Sequence, residues 1–280
     1  MQVYLNGQYM EETQATVSID DRGFLFADGV YEVVHIYRGR PFEWERHLAR
    51  LHRSLAGINL TGVSDQELTQ ARDHLISGVP AEEAALYIQV TRGTQRRSHA
   101  PPPAGTIAPT VLMWVRPVDP IRPELVQSGV AVITTADDRW AKVWIKTIGL
   151  LPNVLAKGKA MEAGAFDAVF VRDGMVTEAT SANVFRVSDG VIQTAPVTNY
   201  ILPGITREVV IELARGAGMT VIEQPFSADA LYGADELFLT GTLTEVLPIT
   251  RVDGRPVGSG SVGPVARELL HLLRRQAGIA

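Results

Sequence analysis

Apolar residues recur along the chain with two different periods, which predict strands and helices in separate runs. Short apolar and β-branched runs predict strands at 31–37, 85–91, 111–115, 129–134 and 236–240. Apolar spacing of three and four residues, with start and stop signals, predicts helices at about 48–58, 64–78, 153–163, 206–217 and 265–275. The pairs Asp173-Gly174 and Asp189-Gly190 predict hairpin turns. Strands in runs with helices between the runs are typical of the α+β class.

Three prolines between residues 117 and 123 interrupt this pattern between two predicted strands. A chain of 280 residues is long enough for one large domain or two modest ones. We therefore predict one lobe at 1–120 and a second, larger lobe at 121–280.

Composition excludes several classes of protein. Apolar residues make up 46% and charged residues 20% of the chain, the net charge is −5, and there is no cysteine. Disulfides, thiolate catalysis and cysteine-bound zinc are therefore excluded. No apolar run reaches the roughly 18 residues of a membrane helix, and the N-terminus lacks the pattern of a signal peptide. We expect a cytoplasmic protein without nucleic-acid or membrane partners.

Lysine is scarce, which limits the candidates for an amine nucleophile to Lys142, Lys146, Lys157 and Lys159. Lys146 has the least usual neighbours, because it lies in the apolar run Trp144-Ile145-Lys146-Thr147-Ile148. Desolvation favours the neutral form of an amine, and the neutral form is the nucleophile. The same residues also fit a lysine on the polar side of an edge strand.

One acidic residue precedes a run of hydroxyl side chains. Glu178 ends a predicted strand, and Thr180 and Ser181 follow it. A carboxylate in this position could pair with a protonated ring nitrogen, which keeps such a ring charged and able to accept electrons. The hydroxyl groups could donate to a phosphate. A polar turn between two hairpins is the alternative interpretation.

Two further segments have the features of an anion site. Pro203-Gly204-Ile205-Thr206 runs directly into a predicted helix, whose first N–H groups carry positive partial charge. Gly241-Thr242 ends a predicted strand, where glycine lets an anion approach the backbone. Arg50 could add a charge-assisted contact. Helix capping and a solvated arginine explain the same residues without a ligand.

A basic loop is a candidate for binding a carboxylate. Arg97 and His99 lie in the polar segment Arg96-Arg97-Ser98-His99, and Tyr31 could add a phenol hydroxyl. A solvated loop is the alternative. A second glycine-rich segment, 258–263, matches the pattern of a dinucleotide site but lacks a preceding strand and a βαβ unit, so we interpret it as a loop and a helix start.

The order of these segments resembles that of the class IV, branched-chain-type aminotransferases. Seven signatures carry the resemblance and span essentially the whole chain: Asp21–Phe24, Phe26–Glu32, His47–Leu51, Lys146-Thr147, Glu178–Asn183, Pro203–Arg207 and Gly241-Thr242.

The resemblance implies fold-type IV, in which a small α/β lobe and a larger pseudo-barrel lobe hold pyridoxal 5'-phosphate, usually in a homodimer. Lys146 resembles the Schiff-base lysine and proton shuttle of the family, and Glu178 resembles the partner of the pyridine nitrogen. The substrates implied are an amino acid and a 2-oxo acid. The remaining cofactor-binding residues implied by the match are Arg50, Thr180, Ser181, Ile205, Thr206, Gly241 and Thr242.

Within the family the chain is most similar to the D-amino acid (D-alanine) aminotransferases. There an Arg-x-His pair, here Arg97 and His99, binds the substrate carboxylate from the partner subunit, beside Tyr31. Thr180-Ser181-Ala182 and Gly241 depart from the serines of the D-specific enzymes, and Gly241-Thr242 resembles the L-specific branched-chain enzymes. An L-branched-chain aminotransferase, an aminodeoxychorismate lyase and a non-catalytic descendant remain as alternatives.

Overall fold

The computed structural model describes residues 1–279, which form two compact units. Unit 1 comprises Met1–Pro120 and Ile145–Gly149, and unit 2 comprises Ile121–Trp144 and the chain from Leu150 onward. The sequence-based division assigns 145–149 to the second lobe. The segment packs with unit 1 because the N–H of Tyr31 donates to the carbonyl of Lys146 at 3.0 Å, with a second bond two residues along. The division into two lobes itself stays a prediction.

Unit 1 consists of one antiparallel sheet and three α-helices. The sheet order is β2-β1-β6-β5-β3-β4, and the central pair β3 and β5 is joined along nine residues. The strands are β1 (Gln2–Leu5), β2 (Gln8–Glu11), β3 (Gly29–Tyr37), β4 (Arg40–Pro41), β5 (Glu83–Thr91) and β6 (Thr110–Pro117). The helices are α1 (Arg22–Phe26), α2 (Trp44–Gly57) and α3 (Asp65–Ser77).

The local signals in the sequence explain why these elements form. The predicted strand at 31–37 is confirmed as β3, and Ser64 caps α3 by accepting a hydrogen bond from the N–H of Glu67 at 3.3 Å. The predicted apolar face of α2 is buried at Leu51 and Leu55, and α2 packs against β3. The edge of that buried face carries polar residues, which places charged side chains of α2 next to β3.

Unit 2 consists of a nine-stranded mixed sheet and five helices. Its strands are β7 (Val130–Ala136), β8 (Asp167–Arg172), β9 (Met175–Ala179), β10 (Asn183–Ser188), β11 (Val191–Thr194), β12 (Thr220–Glu223), β13 (Glu236–Gly241), β14 (Glu245–Val252) and β15 (Arg255–Pro256). Its helices are α4 (Pro123–Ser128), α5 (Leu151–Glu162), α6 (Ile205–Gly216), α7 (Asp229–Tyr232) and α8 (Pro264–Ala277).

The sheet of unit 2 runs in the order β12-β11-β10-β13-β14-β7-β8-β9, with β15 paired to β14. The two predicted hairpins are confirmed as β8–β9 and β10–β11. A tight turn connects β9 to β10, in which the N–H of Ala179 donates to the carbonyl of Ala182 at 2.8 Å. This turn brings the end of β9 beside the start of β10 and curls the sheet. The α+β class predicted from the sequence is confirmed.

Strand β14 is absent from the sequence-based prediction because Pro248 lies within it. Proline has no N–H to donate and is rare inside a sheet. In the structure Pro248 pairs with Phe238 of β13, and the register against β7 shifts between Ile249 and Arg251. Pro248 therefore lies in a buried strand that the local pattern does not reveal, next to the irregular part of its ladder.

The glycine-rich segment at 258–263 forms a loop and leads into α8, as predicted. The carboxylate of Glu236 accepts hydrogen bonds from the N–H groups of Val265 and Ala266, both at 3.0 Å. A side-chain carboxylate therefore already occupies the anion-binding end of this helix. Within residues 1–279, none of the helices has the length and apolar character needed to cross a membrane.

Candidate active site

Lys146 is held by backbone hydrogen bonds on both sides within unit 1. Its carbonyl accepts from the N–H of Tyr31 at 3.0 Å, and its own N–H donates to the hydroxyl of Ser54 at 3.1 Å. Its Nζ atom lies 4.1 Å from the centre of the Tyr31 ring. Two elements, β3 and α2, therefore fix the backbone of this lysine, and an aromatic face adjoins its amine.

A fully buried carboxylate, Glu32, holds two residues of α2. Arg50 donates to it through Nε and Nη2, both at 2.8 Å, in a bidentate arrangement. His47 Nδ1 lies 2.8 Å from the same carboxylate. His47, Arg50 and Ser54 occur at spacings of three and four, so one face of α2 contacts both Glu32 and the backbone of Lys146.

The charges in this triad are set by burial and pairing. Burial raises the pKa of the Glu32 carboxyl, but the charge of Arg50 and the hydrogen bonds from Arg50 and His47 lower it well below its ordinary value. Burial lowers the pKa of His47 by more than the hydrogen bond and the charge of Glu32 raise it, and the charges of Arg50 and Lys146 lower it further. A neutral His47 therefore donates its Nδ1–H to an ionised Glu32, which accepts at both oxygens.

The predicted carboxylate-binding pair lies on the ring of Phe26 in unit 1. The guanidinium of Arg97 is 5.2 Å and the ring of His99 is 5.5 Å from the centre of that ring, and both side chains are exposed. Buried Arg22 ties the loop down by donating to the carbonyl of Ser98 at 2.7 Å. Arg97 and His99 are therefore presented together on an anchored loop.

In unit 2, Glu178 is buried at the end of β9 and is surrounded by hydrogen-bond donors. Its Oε1 accepts from Arg139 at 2.5 Å. Its Oε2 accepts from the backbone N–H of Leu202 at 2.8 Å and from the amide of Asn183 at 3.2 Å. Burial raises the pKa of Glu178 above its ordinary value, although the charge of Arg139 opposes this. The protonation of Glu178 therefore depends on the balance between its burial, which favours the acid, and its donors, which favour the carboxylate.

Arg139 in turn is gripped by Asp137. Its Nε and Nη2 donate to the two oxygens of Asp137 at 2.9 and 2.8 Å, and Nη2 also donates to the carbonyl of Tyr200 at 3.2 Å. Arg172 and Thr177 contact the same Asp137 carboxylate. Sequence reasoning missed Asp137 and Arg139, because they follow β7 in a segment without a recognisable motif and are 39 residues or more from Glu178 along the chain.

At the predicted anion site, no side chain caps the first N–H groups of α6. Gly204 is the N-cap of this helix, and Thr206 lies in its first turn. A Cβ atom on Gly204 would clash with the Asn183 amide oxygen. Glycine is therefore required where this helix start passes the residue that contacts Glu178.

The turn between β13 and β14 also requires a glycine, Gly241, where the backbone passes close to neighbouring atoms. A Cβ atom on Gly241 would lie 2.5 Å from the Thr244 hydroxyl and 3.3 Å from the Ser181 carbonyl. The hydroxyl oxygens of Thr240 and Thr244 are buried without a hydrogen-bond partner among residues 1–279. Buried hydroxyls without partners are costly unless a ligand completes them.

The two hydroxyl residues after Glu178 have different surroundings. The Thr180 hydroxyl donates to buried Asp167 at 2.5 Å, and the Thr180 carbonyl accepts from Asn153. Its single O–H is therefore used inside the protein rather than offered to a phosphate. Ser181 is exposed beside Gly241. No cluster of three or more acidic and histidine side chains suited to a metal ion occurs among residues 1–279.

Comparisons with known proteins show the family of the chain and confirm the predicted fold-type IV architecture. Residues 29–252 match the family model described as amino-transferase class IV. The chain is 42% identical to the D-alanine aminotransferase of Bacillus licheniformis over 271 residues, which cover 96% of this chain and 94% of that protein. It is 38% identical to the D-alanine aminotransferase of Staphylococcus aureus (strain COL) over 269 residues, 95% of this chain and 94% of that one.

Among solved structures, the branched-chain amino acid aminotransferase from Escherichia coli superposes with a TM-score of 0.87 at 28% identity. The match covers 96% of this chain and 91% of that chain. A second branched-chain amino acid aminotransferase, from Thermoproteus uzoniensis and solved with norvaline, gives a TM-score of 0.87 at 27% identity, with 100% of this chain and 95% of that chain covered.

Proposed function

The chain belongs to the class IV aminotransferases, and we propose that it carries pyridoxal 5'-phosphate on Lys146 and transfers amino groups between D-amino acids and 2-oxo acids. D-alanine and 2-oxoglutarate are the substrates proposed. Two observations carry the proposal. The backbone of Lys146 in unit 1 is held by hydrogen bonds, and the carboxyl of Glu178 in unit 2 is buried among hydrogen-bond donors.

The side chains present have the chemistry that this cofactor requires. Lys146 supplies an amine, and Glu178 supplies a carboxylate for a protonated ring nitrogen. The start of α6, with Ile205 and Thr206, supplies N–H groups for a phosphate. Gly241, Thr242 and the two unpartnered threonine hydroxyls near them supply a second set of phosphate contacts, while Ser181 and Arg50 complete the proposed set. When bound, the cofactor supplies a conjugated ring that accepts electrons from the substrate.

The protein's own groups perform the remaining tasks. The Lys146 amine takes the proton from Cα of the amino acid and delivers a proton during the return step. Ionised Glu178 keeps the ring nitrogen protonated. Arg97, His99 and Tyr31 hold the substrate carboxylate, which decides the face of Cα that meets Lys146. Stereochemistry therefore depends on where the anchored basic loop holds the carboxylate relative to Lys146.

An L-branched-chain aminotransferase is the second candidate, because Gly241-Thr242 matches that branch and the two solved structures described above have that name. To distinguish the two candidates, the enzyme is supplied with D-alanine or L-leucine together with 2-oxoglutarate, and the D- and L-enantiomers of the glutamate formed are measured separately. We expect D-glutamate from D-alanine. Turnover of L-leucine with none of D-alanine would reject the D-specific proposal.

The covalent site is tested by borohydride reduction of the cofactor-saturated enzyme, followed by peptide mapping. We expect the reduced adduct on Lys146 alone, and Lys146→Ala should abolish it. Lys142→Ala is the matched control, because Lys142 is exposed four residues earlier in the chain and should leave the adduct intact. An adduct on any other lysine would show that the wrong residue has been assigned.

A homodimer is part of the proposal and is supported by an exposed apolar row on α5. Leu151, Val154, Leu155 and Met161 are 67, 63, 59 and 68% exposed. Four large apolar side chains on one helix are typical of a surface that another protein covers. We propose that a second copy of the chain covers it, with a cytoplasmic location consistent with a sequence that has no cysteine to form disulfides.

A further inference from the structure

Four charged side chains form one connected cluster in unit 2, and only one of them has a role so far. Asp137 and Arg139 follow β7, Arg172 ends β8 and Glu178 lies near the end of β9. Asp137 accepts from Arg139 at both oxygens and from Arg172 at 3.2 Å, and Glu178 accepts from Arg139 at 2.5 Å. Arg139 is thus shared between two buried carboxylates.

We propose that Arg139, clamped by Asp137, is a positioning residue that keeps Glu178 ionised and correctly oriented toward the ring nitrogen of the cofactor. The inference rests on the proposed function, because it assumes that Glu178 is the partner of that nitrogen. It assigns roles to two residues that belong to no signature of the sequence.

The hydrogen bonds around Glu178 explain why a cation is needed there. All of the observed partners of its two oxygens are donors, so the carboxylate form fits its surroundings and a protonated form would place a hydrogen against a donor. Among residues 1–279, Arg139 is the cation in salt-bridge contact with Glu178. Removing Arg139 would leave Glu178 buried beside a second carboxylate, Asp137, and would favour the uncharged acid.

The position of Arg139 is fixed from several directions. Asp137 holds its Nε and Nη2 in a bidentate grip, and its guanidinium lies 4.2 Å from the centre of the Phe170 ring. Its contact with the Tyr200 carbonyl and the contact of Glu178 with the Leu202 N–H fasten the same loop, which leads into α6. Arg139 therefore fixes both the charge and the direction of the Glu178 carboxylate.

The test measures how strongly the full-length enzyme distinguishes pyridoxal phosphate from its analogue with C–H in place of the ring nitrogen. Enzyme is equilibrated with an equimolar mixture of the two, reduced with borohydride, and the ratio of adducts is measured by mass spectrometry. A charge-assisted hydrogen bond to the nitrogen should give the wild type a preference of at least about ten-fold. Glu178→Ala should bring the ratio near one.

Variants of Arg139 test whether this residue keeps Glu178 ionised and oriented. Arg139→Gln should reduce the preference by about ten-fold, and Arg139→Lys, which keeps the charge, should restore most of it. If Arg139→Gln does not fold, the double variant Asp137→Asn with Arg139→Gln removes one charge of each sign and should still show a reduced preference. Arg186→Gln, on β10 and outside the cluster, is the matched control and should keep the wild-type ratio.

The outcomes separate failure of the inference from failure of the proposed function. If Glu178→Ala leaves the wild-type preference intact, Glu178 is not the nitrogen partner and the proposed function fails at that residue. If Glu178→Ala removes the preference but Arg139→Gln and the double variant keep it, the assignment of Arg139 is overturned. If Arg139→Gln weakens the binding of pyridoxal phosphate and of its analogue equally, so that the adduct ratio is unchanged, Arg139 has a structural role only. That result would also overturn the assignment of Arg139.

Discussion

Replacing Glu32 with glutamine is expected to lower the free energy of unfolding of unit 1 by about 3–5 kcal/mol at pH 7, the range for removing one partner of a buried ion pair. One oxygen of Glu32 accepts from Arg50 Nε, and the other accepts from Arg50 Nη2 and His47. An amide NH2 group in either position would face a donor. The charge of Arg50 would also remain buried without its carboxylate.

The loss should depend on pH in a defined direction. Burial raises the pKa of Glu32, but Arg50 and His47 lower it by more, so its folded pKa lies below the unfolded value of 4.5. The stabilisation is therefore fully present above about pH 4.5 and is lost as the pH falls toward the folded pKa. The difference between wild type and Glu32→Gln should shrink accordingly in acid.

Hydrogen exchange of peptides from β3 and α2, measured across a urea series, reports the stability of unit 1 alone. Glu83→Gln on neighbouring β5 is the matched control, because Glu83 is partly exposed and its carboxylate pairs with His35 at 3.0 Å. That control should cost less than about 1 kcal/mol. A loss for Glu32→Gln no greater than for the control, or one that does not change with pH, would show that the Glu32 charge does not stabilise unit 1.

Three further predictions concern the substrate, the cofactor and assembly. Arg97→Ala should raise the KM for D-alanine about ten-fold or more while the absorption of the bound cofactor stays unchanged, with Arg96→Ala as the control; an unaltered KM rejects the carboxylate role. Gly241→Ala should weaken cofactor binding several-fold in equilibrium dialysis, because the added Cβ crowds the Thr244 hydroxyl, whereas Gly233→Ala, which has open space around it, should not. Leu155→Glu on α5 should shift the enzyme from dimer to monomer in sedimentation velocity, and a persistent dimer would exclude this face as the interface.

Much of the fold follows from local signals. The capping box at Ser64, the glycine-containing turns after Arg172 and Ser188, and the proline-glycine start of α6 each specify a boundary that the structure reproduces. The family membership also follows, because the signatures are local sequences in a fixed order. Strand β14 does not follow, because Pro248 contradicts the local rule and only its buried neighbours stabilise it.

The residues that surround the candidate site are less visible in the sequence. Lys146 and Glu178 lie in recognisable segments, but the residues that set their surroundings do not. Asp137 and Arg139 reach Glu178 only because β7, β8 and β9 lie side by side in the sheet. Ser54 reaches Lys146 across 92 residues of chain. Such contacts depend on the topology, and no periodicity or turn signal encodes them.

Two buried glutamates show that the surroundings of a carboxyl determine the direction of its pKa shift. Glu32 and Glu178 each end up against an arginine, yet the pKa of Glu32 falls and that of Glu178 rises. Arg50 commits two donors to Glu32, and His47 adds a third, so the charge of Glu32 is fully compensated. Burial raises the pKa of Glu178, and of its three donors only Arg139 is charged, because the other two are the neutral N–H groups of Asn183 and Leu202. Arg139 also gives two donors to Asp137, whose negative charge raises the pKa of Glu178 further. Arg139 therefore compensates Glu178 less fully than Arg50 and His47 compensate Glu32, and the positive charge of the proposed ring nitrogen would add to the effect of Arg139.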